Sequence, residues 1–167
     1  MNKEIDRNYL EIFSLGDLVV SKKPSNEFIV ELIDPENFQL NKFFYKHIGK
    51  KHRWIDRLVW TDKQWMDYAV DKKVKTYVLK KKEDLVGYYE LIFHTQQNET
   101  EIAYFGVLEE YQNQKLGSFL LTSAIQNSFL LNSNRVWVHT CSLDHKNALD
   151  NYLSRGMKVF KKEKIII

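Results

Sequence analysis

One stretch of this sequence constrains the fold more than any other, because residues 101–118 are typical of a strand, a polar loop and a helix in direct succession. Glu101 to Val107 is rich in β-forming residues, and Gly117 to Leu131 spaces its apolar residues along one helix face. Helix N-termini expose unpaired N–H groups and carry partial positive charge, so they bind phosphate groups well. The stretch therefore predicts a phosphate site between a strand and a helix.

The glycine at the start of this helix supports the same interpretation. Gly117 has no Cβ, so a ligand can lie close to the backbone there. The loop contains neither G-x-G-x-x-G nor G-x-x-x-x-G-K-[ST], which disfavours a Rossmann dinucleotide site and an NTPase P-loop.

The remaining pattern predicts an α+β fold with one mixed sheet. The expected order is β-α-α-β-β-β-α-β-α-β, in which residues 74–79, 85–93 and 101–107 form an antiparallel meander. The expected strands are 28–33, 74–79, 85–93, 101–107, 135–140 and a C-terminal segment within 157–167. The expected helices are 36–47, about 54–70, 117–131 and 143–155. Thr61 or Asp62 is the expected N-cap of the second helix, and Gly156 is the expected C-cap of the last one.

The length of the chain is that of one domain. With 167 residues and no Gly/Ser-rich stretch, we expect a single domain over 1–167. The first 27 residues show no clear pattern and are treated as a possible N-terminal extension.

Charge and cysteine content exclude several classes of protein. A net charge of +3 from 25 basic and 22 acidic residues does not require nucleic acid, and no signal peptide or membrane-spanning run is apparent. Cys141 is the only cysteine, so no intramolecular disulfide can form. We expect a cytoplasmic protein without a nucleic-acid or membrane partner.

Two motifs resemble those of the GNAT superfamily of acyl-CoA-dependent N-acetyltransferases. The family's cofactor motif [Q/R]-x-x-G-x-[G/A] is matched by Gln112-Asn113-Gln114-Lys115-Leu116-Gly117, with Lys115 where the family usually has glycine. The family's A-x-x-x-Y-x-x-x-G-F helix is matched by 148–157, with Met157 in place of the aromatic residue. His145 stands where the family has asparagine. The resemblance covers the chain from about Leu85 onward.

The resemblance implies a GNAT-like single domain, a mostly antiparallel twisted sheet flanked by helices, that uses acetyl-CoA as co-substrate. It assigns the pyrophosphate to the loop and the start of the helix. It also implies a bulge at Phe105-Gly106-Val107, where the backbone is exposed to the pantetheine arm. The implied cofactor-binding residues are Phe105, Gly106, Val107, Gln112, Asn113, Gln114, Lys115, Leu116, Gly117, Ser118, His145 and Ala148. Gly106 alternatively only relieves crowding.

The resemblance also implies two catalytic residues. Tyr152 matches the tyrosine that protonates the departing thiolate, and Glu101 matches a position where some members hold a catalytic base. Either residue could instead be structural, Tyr152 on a buried helix face and Glu101 as a solvated strand-end charge. His139 or His145 could help to shuttle the amine proton. Cys141 is chemically able to act as a nucleophile, although a buried structural thiol is commoner.

A metal site is not expected. The pattern His139-x-Cys141-x-x-x-His145 supplies three candidate ligands, but no second Cys/His cluster accompanies it.

The expected function is transfer of an acetyl group to an amine by direct attack in a ternary complex. The alternative is a non-catalytic acyl-CoA-binding sensor or interaction domain. The acceptor pocket is expected near Lys51 to Trp60, where Trp54 and Trp60 are either pocket or core residues, and the acceptor amine stays open. The run Ile165-Ile166-Ile167 could form a sheet edge that pairs in a homodimer.

Overall fold

One twisted sheet organises residues 2–167, the part of the chain that the computed structural model describes. Within those residues seven strands lie in the order β2-β3-β4-β5-β6-β1-β7. All neighbours are antiparallel except β5 and β6, which are parallel. The strands are β1 Glu4–Ile12, β2 Phe28–Leu32, β3 Val74–Lys81, β4 Asp84–His94, β5 Glu99–Val107, β6 Arg135–Cys141 and β7 Lys158–Ile166.

Four helices flank this sheet in the described part of the chain, and two short 3₁₀ turns join other elements. The helices are α1 Phe38–Gly49, α2 Asp62–Val70, α3 Leu116–Leu130 and α4 Ala148–Ser154, and the turns are Leu15–Asp17 and Glu109–Tyr111. The predicted α+β fold with one mixed, mostly antiparallel sheet is therefore confirmed, and so is the predicted order of elements from β2 onward. Among residues 2–167, no helix is both long and apolar enough to cross a membrane.

Two apolar clusters pack on opposite faces of the sheet. On one face the buried side of α3, with Leu120 and Ile125, and Tyr152 of α4 pack with Val136 and Val138 of β6. On the other face Phe44 and Ile48 of α1 pack on Val78, Tyr88 and Leu108. The interior strand β4 is covered on both sides, which explains its nearly continuous run of buried residues.

The largest difference from the sequence-based expectation lies at the N-terminus. Residues 1–27, treated as a possible extension, contribute β1 to the interior of the sheet, between β6 and β7. Its partners lie more than 120 residues away, for example Arg7 opposite Cys141. A strand whose pairing is so distant has no local turn signal to announce it.

Two predicted helices are shorter than expected. Residues 54–61 form a loop before α2, because Arg57 turns inward, donates its backbone N–H to Tyr45 and pairs with buried Glu90. The capping box of Thr61 and Gln64 starts the helix there, as predicted for Thr61. Similarly, α4 begins at Ala148 rather than Leu143.

The turn before α4 has a clear cause. The Asp144 carboxylate accepts hydrogen bonds from the Thr140 hydroxyl and the Cys141 N–H, and so holds the chain in a turn. Gly156 ends α4 with φ 101°, a conformation that favours glycine, as predicted.

Candidate active site

A gap between β5 and β6 opens into a large cavity. The two strands pair only from Glu99 to Glu101, opposite Arg135 to Trp137, and then diverge. Beyond Glu101 the side of β5 that faces β6 has no strand partner, so its backbone N–H and C=O groups are free for a ligand. A cavity of about 950 Å³ lies in this gap and reaches the N-terminus of α3.

A β-bulge accompanies the gap, but not where the sequence placed it. Pairing with β4 shifts between Tyr104, opposite Glu90, and Ile102, opposite Leu91, so Ala103 is the extra residue. The expected position was Phe105-Gly106-Val107, which instead pairs regularly with β4. Those three residues still line the cavity.

The loop before α3 presents an unusual row of free donors. Among the described residues, none of the six backbone N–H groups from Asn113 to Ser118 donates a hydrogen bond to a backbone or side-chain acceptor. Asn113 and Lys115 have φ of 65° and 62°, in the left-handed region. Left-handed residues among right-handed ones turn successive N–H groups toward one point and form an anion-binding nest. The start of α3 adds its partial positive charge.

The two glycines of the site have different roles. A Cβ on Gly117 would have only one near neighbour, Asn151 Nδ2 at 3.7 Å, so the packing of the chain does not require glycine there. A Cβ on Gly106 would lie 2.6 Å from Cγ2 of Ile48. Gly106 therefore allows α1 to approach β5, which agrees with the crowding alternative, whereas Gly117 leaves open space for a ligand.

Tyr152 lies where the cavity meets α4. Its side chain is buried, lines the cavity and packs near Phe105, with 6.3 Å between ring centroids. Burial raises the pKa of the Tyr152 phenol, and the Asp144 carboxylate adds to the rise. The hydroxyl therefore keeps its proton throughout the neutral pH range and can donate it as a hydrogen bond.

Glu101 lies at the other side of the sheet opening, at the last position of β5 that pairs with β6. Its carboxylate lines the cavity, and Oε1 is 3.0 Å from Nε2 of His94 on the neighbouring strand β4. The side chain is only 17% exposed, so it is not the solvated strand-end charge that was the alternative. His94 was not recognised from the sequence, since the contact depends on the pairing of β4 with β5.

His139 and Cys141 lie on β6, on the face that also carries Glu101. His139 is exposed on β6, but partial desolvation by its surroundings lowers its pKa and the nearby Arg7 guanidinium lowers it further, which favours the neutral imidazole at pH 7. Burial raises the pKa of the Cys141 thiol, which therefore stays protonated and is a poor nucleophile. Within residues 2–167, no three His, Cys, Asp or Glu side chains come together in a way that could hold a metal ion.

His145 and Ala148 lie at the start of α4 and line the cavity. The His145 Nδ1 accepts a hydrogen bond from the backbone N–H of Asn147, and its ring lies 6.4 Å from that of His52. Burial lowers the pKa of His145, and His52 contributes to the shift. The contact between these two imidazole rings joins the turn before α4 to the loop between α1 and α2.

The structure thus brings the predicted site residues to one cavity with a single exception. Gln114 is exposed and does not line it. Trp54 lines the cavity and packs against Tyr104, whereas Trp60 packs on Trp65 away from it.

Arg7 and Asn151 are among the cavity residues that sequence reasoning missed. Arg7 belongs to β1 and lines the cavity. The available signal was the alternation along this strand, in which Ile5, Arg7 and Tyr9 share one face and the buried Leu10 lies on the other. Asn151 precedes Tyr152 and bonds to the first turn of α3.

Comparison with known proteins agrees with this geometry. A family model described as the acetyltransferase (GNAT) family matches residues 30–157. A search of curated proteins finds no match.

Similar solved structures share the fold at low identity. A functionally unknown conserved protein from Staphylococcus epidermidis has a TM-score of 0.67 at 19% identity, over 99% of this chain and 62% of that one. A GCN5-related N-acetyltransferase from Kribbella flavida has a TM-score of 0.70 at 14% identity, over 99% of this chain and 58% of that one.

An aminoglycoside acetyltransferase from an uncultured soil metagenomic sample has a TM-score of 0.66 at 15% identity, over 80% of this chain and 90% of that one. The chain spans about three fifths of the length of the Staphylococcus and Kribbella structures. The family model matches most of the chain. The chain therefore belongs to the acetyltransferase (GNAT) family.

Proposed function

We propose that this chain transfers an acetyl group from acetyl-CoA to an amine by direct attack within a ternary complex. The observation that carries the proposal is the row of six free N–H groups from Asn113 to Ser118 at the edge of the cavity. Such a row suits a pyrophosphate, because each oxygen can accept a hydrogen bond without an added side chain. The open space at Gly117 fits the same group.

The residues present fit acetyl-CoA, which supplies an activated thioester when it is bound. Asn113 to Ser118 would hold its phosphates, and the unpaired edge of β5 after Glu101 would bind the pantetheine arm. The same edge offers backbone N–H groups that can stabilise an oxyanion.

Proton transfer is the second requirement. A primary amine with a pKa near 10 is mostly protonated at neutral pH, so it must lose a proton before it attacks. Glu101 is the proposed base, since its carboxylate lines the cavity and is held by His94. His139, neutral at pH 7, is the second candidate for this role. Tyr152, on the opposite face of the sheet, would donate its proton toward the departing sulfur.

Calorimetric titration with acetyl-CoA tests the cofactor site. We expect wild-type protein to bind, and Gly117→Leu to bind more than about tenfold more weakly, a loss of about 1.4 kcal/mol, because a large side chain occupies the space proposed for phosphate, whereas the family motif admits alanine at this position. Gly16→Leu is the matched control, since a Cβ on Gly16 would make only ordinary contact and Gly16 is exposed and does not line the cavity. Absence of wild-type binding at high micromolar acetyl-CoA would refute the cofactor assignment.

Thiol release with a panel of amines tests catalysis. We expect release that depends on both acetyl-CoA and an amine. Binding without release on any amine would instead support the alternative of a non-catalytic acyl-CoA-binding sensor.

A further inference from the structure

We propose that the amine acceptor also carries an anionic group, a carboxylate or a phosphate, and that Arg7 binds it. The inference rests on the proposed function and names the class of acceptor. It concerns the acceptor half of the cavity, which we define by Arg7, Glu101, His139 and Cys141.

Strand register places these four side chains on one face of the sheet. Arg7 lies opposite Cys141, and Glu101 lies opposite Trp137. Because side chains alternate between faces, residues 137, 139 and 141 of β6 share the face of Arg7 and Glu101. Tyr152 packs with Val138 on the opposite face. The proposed base and Arg7 therefore face the same space, and the proposed acid approaches the opening from the other side.

The guanidinium of Arg7 is incompletely paired. Its Nη1 lies 3.5 Å from Oε1 of Glu163, while Nε is buried and has no hydrogen-bond partner among the described residues. The Glu163 carboxylate is itself shared, since the Tyr9 hydroxyl donates to it at 2.6 Å and Lys161 Nζ lies at 3.6 Å. The Arg7 side chain as a whole is 30% exposed and lines the cavity, so a ligand oxygen there can complete the hydrogen bonding of the guanidinium. The planar fork of an arginine matches carboxylate and phosphate oxygens in pairs.

The buried or partly buried anions around the cavity are already engaged, in contrast to Arg7. Asp144 accepts hydrogen bonds from Thr140 and Cys141, and Glu101 is bonded to His94. Additional charges lie on the exposed rim, where Asp56 and Asp150 are accompanied by Arg53. A polycationic acceptor would need several free carboxylates in the interior. The acceptor half instead offers one base for the amine and one cation for an anionic group.

Matched acceptors test the proposal in the full chain. Acetyl transfer is measured with an α-amino acid, its carboxamide, an aminoalkyl phosphate and the corresponding aminoalkyl alcohol. For the wild type we expect higher kcat/KM with the charged member of at least one pair. The pair that differs identifies carboxylate or phosphate as the anionic group.

Substitutions at Arg7 assign the effect. With Arg7→Gln we expect kcat/KM for the preferred anionic acceptor to fall about tenfold to a hundredfold more than for its neutral counterpart. Arg7→Lys keeps the charge and is expected to retain part of the preference. Lys162→Gln is the matched charge control, since Lys162 is exposed on β7 and does not line the cavity.

Two outcomes would overturn the proposal while leaving the proposed function intact. One is wild-type transfer in which neutral amines are used as well as their anionic partners, a comparison that needs no variant. The other is an equal loss for both members of a pair in a folded Arg7→Gln protein, judged by its thermal melt. Failure of the proposed function is distinct, because no amine would then be acetylated.

Discussion

The side-chain amide of Asn151 donates a hydrogen bond to the backbone carbonyl of Gly117, with 3.1 Å between Nδ2 and O. This contact joins α4 to the first turn of α3. The next residue, Tyr152, carries the proposed acid, and Gly117 lies in the proposed phosphate site. One hydrogen bond thus couples the position of the proposed acid to that of the proposed phosphate site, which would contact different parts of the same acetyl-CoA molecule.

Tyr152→Phe should reduce turnover and leave acetyl-CoA binding nearly unchanged. The variant removes only a hydroxyl, and proton donation by a placed side chain contributes about 10²–10⁴-fold. The measurements are thiol release and calorimetric titration, with Tyr77→Phe on β3 as the matched control. A loss of tenfold or less would rule out the acid role of Tyr152.

Glu101→Gln should lower kcat by about a hundredfold or more, because the amide cannot accept the amine proton. Glu99→Gln is a close control, since Glu99 lies two residues earlier on β5 and pairs with Arg135 outside the main cavity. Acetyl-transfer rates at saturating acetyl-CoA provide the comparison. If His139→Gln is impaired and Glu101→Gln is not, the base is His139.

Lys115→Gly should weaken acetyl-CoA binding by at most about fivefold at low salt, because an exposed charge pair contributes about 0.2–1 kcal/mol. Folding stability should change little, since relief of the left-handed conformation at φ 62° is offset by the flexibility of glycine in the unfolded chain. Titrations at low and high salt check whether the difference disappears as charge is screened. Tighter binding at both salt concentrations would mean that the side chain obstructs the site.

Glu90→Gln should lower the free energy of unfolding by about 3–5 kcal/mol, because it leaves the buried Arg57 guanidinium without a counter-charge. Arg57 Nη1 is 3.0 Å from Glu90 Oε1, and five aromatic rings surround the guanidinium. Urea denaturation measures the loss. The double variant Arg57→Met/Glu90→Gln should be more stable than the sum of the single changes predicts, and strict additivity would contradict the pairing.

Stability should decline as the pH falls below about 6.5, the usual pKa of histidine. The pKa values of His139 and His145 are lowered in the folded protein, so the unfolded chain binds more protons in this range and is favoured by acid. His139→Gln should flatten the dependence between about pH 5 and 7, and His145→Gln should do so in part. Urea unfolding at several pH values tests this, and a His139→Gln curve as steep as that of the wild type would contradict it.

Much of the site was readable from sequence because its signals are local. The strand–loop–helix succession from Glu101 to Ser118 depends on residues close in the chain, and the same holds for the capping box at Thr61 and the turn at Gly156. The family resemblance added the placement of Tyr152 on α4. These features rest on propensities and hydrogen bonds within a few residues, which a single segment can specify.

Tertiary structure alone decided how the acceptor half of the cavity, defined by Arg7, Glu101, His139 and Cys141, meets the loop before α3. Arg7 lies opposite Cys141 only because β1 enters the sheet between β6 and β7, and His94 reaches Glu101 only through strand pairing. The bulge at Ala103 and the inward turn of Arg57 likewise depend on partners in other elements. By itself the sequence determined the elements from β2 onward and the loop that is proposed to bind phosphate. Strand register, which is set by packing between distant segments, determined which charges face the proposed acceptor half of the cavity.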